Sequence, residues 1–167
     1  MRTRQRDTVA GLQKRGAVTI ALFYNVAKAG FANGDEDWDT KIYKVTLVSN
    51  NYTAAASHNY ISAFSGAELS STSFTGGFNG TMRLTLGSRT VTQNNTDNQG
   101  EMDAADSVWA GLSAGTAYAL VVFRESGTDA VSPLVAYLSA TGLPLVTNGG
   151  DVRVSWANSG LFAFTSA

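Results

Sequence analysis

From about residue 40 the chain alternates apolar and polar residues with a period of two, the pattern of strands with one buried face. In Lys41–Val48 the side chains of Tyr43, Val45 and Leu47 fall on one face, and Lys44 and Thr46 on the other. In Thr81–Leu86, Met82, Leu84 and Leu86 share a face. Ala117–Arg124 is the most continuous apolar run, which predicts a central strand buried on both sides, with Leu134–Leu138 as its partner. Glu68–Thr75, Arg89–Thr92, and Glu101–Ala104 with Val108–Trp109 read as further strands. The amide-rich run 94–100 supplies a turn, because Asn, Asp and Gly tolerate left-handed backbone. Asn158-Ser159-Gly160 predicts a hairpin joining Val152–Trp156 to Leu161–Phe164. Residues 53–64 read as a loop with a short helical turn. The expectation is an all-β fold: an antiparallel β-sandwich or flattened barrel of about eight strands, with an N-terminal arm or short helix.

The front of the chain breaks this pattern. Residues 1–15 hold Arg2, Arg4, Arg6, Lys14 and Arg15 against Asp7, a balance of +4, which leaves −5 on the rest of a chain whose net charge is −1. An apolar run, 17–24, follows, and then Ala27-Lys28-Ala29. Together these resemble a secretory leader with a small-x-small cleavage site. The run is far shorter than the ~20 residues of a membrane span, and the segment is expected to stay with the mature chain. We divide the sequence into a basic arm with its apolar lead-in, 1–29, and a single β domain, 30–167. The arm is expected either to be held by a neighbouring subunit or to form an amphipathic helix over residues 7–29, although Val9, Leu12, Gln13 and Gly16 make a poor helical stripe.

Composition narrows the chemistry. The 167 residues are 44% hydrophobic and 15% charged, with 17 glycines and 2 prolines, enough apolar content for one domain with a real core. There is no cysteine, which excludes disulfides and thiolate metal sites, and a single histidine, His58. His58 reads as an exposed loop residue rather than a general base. Asp35, Glu36, Asp37 and Asp39 read as a solvated turn, since they lack a twelve-residue calcium-loop pattern. Glu101, Asp103 and Asp106 are weak candidates for a glycosidase pair. No phosphate loop, dinucleotide fingerprint or nucleophile elbow is present. No catalytic residue, metal or cofactor is therefore assigned. Trp38, Trp109 and Trp156 suit core or subunit-interface packing more than sugar stacking, and Trp38 and Trp109 are taken as candidate interface aromatics. The arm contains no interleaved aromatics, so its cations fit an acidic protein surface better than nucleic acid.

Several segments, in one order, resemble a family. Gly34–Thr40 running through Lys41–Val48 to Thr53 is similar to the opening "GDIDWDTDTIKVALLTSSYT" of small β-rich virion proteins of tailed bacteriophages. His58, Tyr60 and Ile61 fall where that family has a histidine and aromatics. Leu86–Thr92 resembles its "LTGKTVT", and Asp103–Trp109 its "FDADDVTW". Tyr118–Tyr137 resembles "YAVVYKDTGTDATSPLIAY", and Val154–Phe162 resembles "ITWDASGIFTL". The resemblance spans about residues 30–165; the basic front end and residues 53–80 depart from it. It implies a phage structural protein, foremost a capsid decoration (cement) protein on the virion exterior. Such a protein would bind the major capsid protein or other virion proteins, and would be a homo-oligomer with no enzymatic role, no specific nucleic acid and no membrane. A tail, fibre or baseplate component is the alternative, a carbohydrate-binding module using the tryptophans a second, and a phage glycosidase a distant further one.

Overall fold

A computed structural model describes residues 18–64, 66–69, 83–112, 114–157 and 160–165. Among these the elements run β1 (Val18–Phe23), α1 (Asn25–Asn33), β2 (Tyr43–Val48), a 3-10 turn (Ile61–Phe64), β3 (Leu84–Thr85), β4 (Thr90–Asn94), β5 (Gln99–Asp103) and β6 (Ser107–Trp109). They continue with β7 (Gly115–Ala117), β8 (Ala119–Arg124), β9 (Leu134–Ala140), β10 (Leu145–Thr147), β11 (Val152–Val154) and β12 (Phe162–Thr165). The protein is all-β and antiparallel. The twelve described strands exceed the eight expected because β3, β6, β7, β10 and β11 have only two or three residues each. The sheets stay open, so the flattened-barrel option is corrected to a sandwich.

The main sheet has the order β1-β9-β8-β2-β3, with β8 at its centre. Alternation along β8 explains its unbroken apolar sequence. Leu120 and Val122 join Tyr43, Val45 and Leu47 in one core. Ala119, Val121 and Phe123 join the core on the opposite face. The first core is closed by the short ladders β6–β11 and β7–β10 and by the β4–β5–β12 sheet, through Trp109, Val152, Val154 and Phe162. The second is closed by Tyr24 and by the crossover after β2, through Tyr52, Ile61 and Phe64. A fully buried side chain of this size contributes about 1.5–3 kcal/mol, so a strand buried on both faces anchors the whole molecule.

Three expectations change. The apolar lead-in is not separate from the domain: Val18–Phe23 is a strand paired with β9 from Val18↔Ala140 to Phe23↔Ala136. The boundary at residue 29 therefore cuts through α1. That helix, rather than one over 7–29, ends in a left-handed Gly34, whose N–H and that of Asp35 bond the Phe31 and Gly30 carbonyls. The hairpin expected across residues 158–160 does not form. β11 pairs with β6, and β12 pairs with β5. Glu68 makes an isolated antiparallel bridge to Val48, and Leu69 beside it is not in a strand; residues 70–75 of the expected 68–75 strand, and Met82, lie outside the described residues.

Candidate functional site

The five cations of the arm, Arg2, Arg4, Arg6, Lys14 and Arg15, lie outside the described residues. The structure does fix where the arm joins the body. It leads into Val18, at the start of β1, on the outer edge of the main sheet.

The acidic turn is not uniformly solvated. Glu36 is buried, and its carboxylate receives Arg124 Nε at 2.8 Å and the Tyr43 hydroxyl at 2.7 Å. Burial, reinforced by the neighbouring carboxylate, pushes the Tyr43 hydroxyl far above its usual range. Gly30 is needed for this packing, because a Cβ there would stand 2.6 Å from Glu36 Cγ. Asp37 is half-buried and accepts the Thr40 N–H, as a turn residue should. Arg89 holds the same turn from the other side, donating to the carbonyls of Trp38, Leu86 and Lys41 and lying over the Tyr43 ring.

Trp38 and Trp109, expected at an interface, are each 1% exposed and belong to the core. Trp38 packs on Tyr43 and Phe162, and its indole N–H donates to the Asp103 carbonyl at 2.9 Å. Trp156 is buried too, donating to the Ala105 carbonyl. None of the three offers a free ring to a sugar or a neighbour.

The remaining sequence candidates are engaged in structure. His58 is half-buried, with Nδ1 3.0 Å from the Tyr52 hydroxyl, which in turn meets the Tyr24 hydroxyl at 2.7 Å. Burial, and then the bond to Tyr52, raises the Tyr24 hydroxyl far above its ordinary range, so this end of the chain stays neutral. Glu101 accepts from Asn94 and Gln99, and Asp103 accepts from the Ala104 N–H. The three acidic residues 101, 103 and 106 thus have separate partners and are not assembled as a pair. Among the described residues no group of His, Asp and Glu is placed to hold a metal, and no helix is long and apolar enough to cross a membrane.

Asp106 ties the start of β6 to the end of β11. It accepts from Arg153 Nη2 at 2.8 Å, Ser155 Oγ at 2.9 Å and the Trp156 N–H at 3.2 Å. Partial burial works against its charge, but these donors outweigh it and hold the carboxyl below the usual aspartate range. A depressed carboxylate stabilises the fold above its unfolded pKa, and that contribution disappears as pH falls through the folded value. Acid unfolding below about pH 4 should therefore be shallower in Asp106→Asn than in the wild type. At neutral pH the variant should lose about 1 kcal/mol or less, because the site is solvent-screened. Parallel acid-denaturation curves for the two proteins would overturn this assignment.

Sequence reading missed a second buried ion cluster. Glu68, fully buried, takes Arg83 Nε at 2.9 Å, Arg83 Nη2 at 3.1 Å and the Thr46 hydroxyl at 2.9 Å. Arg83 also donates to Asp129 and lies over the Phe123 ring, 5.5 Å from its centroid. Burial disfavours the Arg83 charge, and the two carboxylates more than restore it. The cleft beside it is about 40 Å³, room for a water or two rather than a substrate.

The exposed surface has its own character. Among the described residues β4 is an edge strand of its sheet, and Val91 on it is 53% exposed. Ile42, Val108, Val131, Val146 and Phe164 are other exposed apolar side chains. A hollow of about 400 Å³ lies at the tip of the β4–β5 hairpin, lined by amide side chains and Phe164. The resemblance to virion proteins stands on its motifs alone, since no family model matches the chain and no curated protein matches it.

Proposed function

We propose that this protein is a structural component of a tailed-phage particle, a cement protein that binds the outside of the capsid lattice and turns over no substrate. The observation that supports the reading is that the segments resembling phage virion motifs pack against one another as this fold closes. Trp38 of the first segment is buried, and its indole N–H donates to the Asp103 carbonyl of the third. Arg89 of the second clamps the turn of the first. Asp106 of the third is bonded to Ser155 and the Trp156 N–H of the last.

The arm does the strapping. The 17 residues before Val18, fully extended, reach at most about 60 Å, while a compact domain of this length is roughly 40 Å across. An arm leaving a sheet edge is thus long enough to cross an adjoining subunit and pair its arginines with carboxylates, two bonds at a time. Single surface pairs contribute about 0–1 kcal/mol, so retention on the particle comes from several cations per arm, apolar burial under the body and many copies on a lattice.

Deleting residues 1–15 should release the protein from capsids while leaving a folded domain, since β1 begins at Val18. Raising the salt concentration should loosen the full-length protein in the same direction. Sedimentation of capsids with bound protein measures both. If the truncated chain stays with the capsid, the strapping account fails. If quantitative gels of purified virions show copy numbers in the tens rather than the hundreds, the cement reading gives way to a tail component.

A further inference from the structure

The tip of the β4–β5 hairpin has the features of a ligand site rather than of a connection. Gln93, Gly100 and Phe164 are direct cross-strand neighbours, so they form one row on one face of the β4–β5–β12 sheet. The middle of that row has no side chain, and a Cβ built on Gly100 would meet nothing within 4 Å. The result is a floor of bare backbone between an amide and an aromatic ring, extended by Asn94, Asn95, Asn98 and Gln99 into the 400 Å³ hollow. That volume falls within the range of about 300–1,000 Å³ typical of small-molecule sites.

The hydrogen bonds already made determine what the site can recognise. Asn94 is used up: its amide nitrogen donates to Asp97 and Glu101, and its oxygen accepts the N–H groups of Thr96 and Asp97. Gln93 donates to the Asn95 oxygen at 2.7 Å, and Gln99 to Glu101 at 2.7 Å. Among the described residues this leaves the oxygen and one N–H of Gln93 and of Gln99, the Asn95 nitrogen as a donor, and the whole Asn98 amide. These bonds fix Gln93, Asn95 and Gln99 in orientation. Neutral, pre-oriented donors and acceptors side by side suit hydroxyl groups, each of which donates and accepts at once. No charged side chain lines the hollow. Phe164, 48% exposed, is braced by Phe23 and Phe31 with ring centroids 6.2 and 5.8 Å away, so its ring is a fixed apolar wall of the kind the C–H face of a sugar packs on.

From this arrangement we infer that the hairpin tip binds a neutral glycan, seating one pyranose unit over Gly100 against Phe164. The inference is separate from the capsid reading and is tested on the isolated full chain. Maltose, cellobiose, lactose and diacetylchitobiose are titrated in turn while amide chemical shifts are followed. At least one should give saturable shifts concentrated at Asn94–Gly100 and at Phe164, with a Kd in the millimolar range typical of a single shallow site, about 1 mM or weaker. Gly100→Val fills the floor at a strand position with open space and should abolish those shifts without lowering Tm. Asn98 has φ 53°, so Asn98→Gly keeps the turn, removes only the amide and should weaken binding several-fold. If none of the four sugars shifts the hairpin, or if Gly100→Val binds as the wild type does, the inference is overturned. It is likewise overturned if Gly100→Val loses capsid binding while no sugar binds, which makes the hollow a protein contact.

Discussion

Glu68→Ala should destabilise the protein by about 3–5 kcal/mol, the range for removing one partner of a buried ion pair. The glutamate is fully buried and receives two bonds from one guanidinium and one from the Thr46 hydroxyl. Its removal leaves the Arg83 charge, whose side chain is only 14% exposed, without its buried carboxylate and still beside the partly exposed Asp129. The Thr46 hydroxyl also loses its acceptor inside the sheet. Urea unfolding should show a lower midpoint with an unchanged slope. The double variant Glu68→Leu/Arg83→Met should recover most of the loss, because exchanging both charges for apolar groups of similar size avoids desolvation altogether. A double variant no more stable than Glu68→Ala would mean that the cluster matters by shape and not by charge. The site has a topological consequence as well. Glu68 follows β2 and Arg83 precedes β3, so the pair clips both ends of the intervening segment to the main sheet.

What the sequence displayed, and what it hid, follows from the range of the forces involved. β2 and β8 were legible because each shows its apolar pattern within six residues, alternating in β2 and unbroken in β8; the burial of Thr46 and Val48 on the second face of β2 was not legible. The β4–β5 turn was legible because Asn, Asp and Gly act on their own backbone. The hairpin at 158–160 failed for the opposite reason. A turn signal says that the chain bends, but not which strand it then joins. Leu161 donates its N–H to the Met102 carbonyl at 2.7 Å, which commits β12 to β5, while Asp106 commits the end of β11 to β6. Strands of two or three residues are shorter than the window in which alternation can be recognised.

The candidate residues divide in the same way. Glu36 was hidden in a run of acids, yet it lies two positions from Trp38, and both are buried with Asp37 turned outward between them. That phase relation is a signal in the sequence, and reading it would have separated the buried carboxylate from its solvated neighbours. The β4–β5 amides looked like turn residues alone, because Phe164 reaches them only through a pairing 64 residues away in sequence, Phe164↔Gly100. Nothing local foretells that contact.

Trp38→Ala should be the most damaging single change in the first core, costing about 3–5 kcal/mol. Domains of this size have a total stability of about 5–15 kcal/mol, so the variant should be largely unfolded at physiological temperature if the wild type lies near the lower limit. Trp38 is 1% exposed, with its ring 4.6 Å from Tyr43 and 5.2 Å from Phe162, measured between centroids. It joins β2 of the main sheet to β12 of the facing sheet, and through the Asp103 carbonyl it reaches β5 as well. Trp38→Phe separates the two contributions. It keeps an aromatic ring in the gap but leaves the Asp103 carbonyl without its donor, an effect of about 1–3 kcal/mol. Thermal unfolding should therefore rank wild type above Trp38→Phe and Trp38→Phe well above Trp38→Ala. Equal stability of wild type and Trp38→Ala would contradict the burial described for this ring and restore it as a surface aromatic. The ranking also bears on binding. A tryptophan that holds two sheets together cannot be removed to test sugar or capsid recognition, because any loss would report unfolding. Gly100→Val and the arm deletion remove no member of this core, and for that reason they are the variants by which binding can be judged.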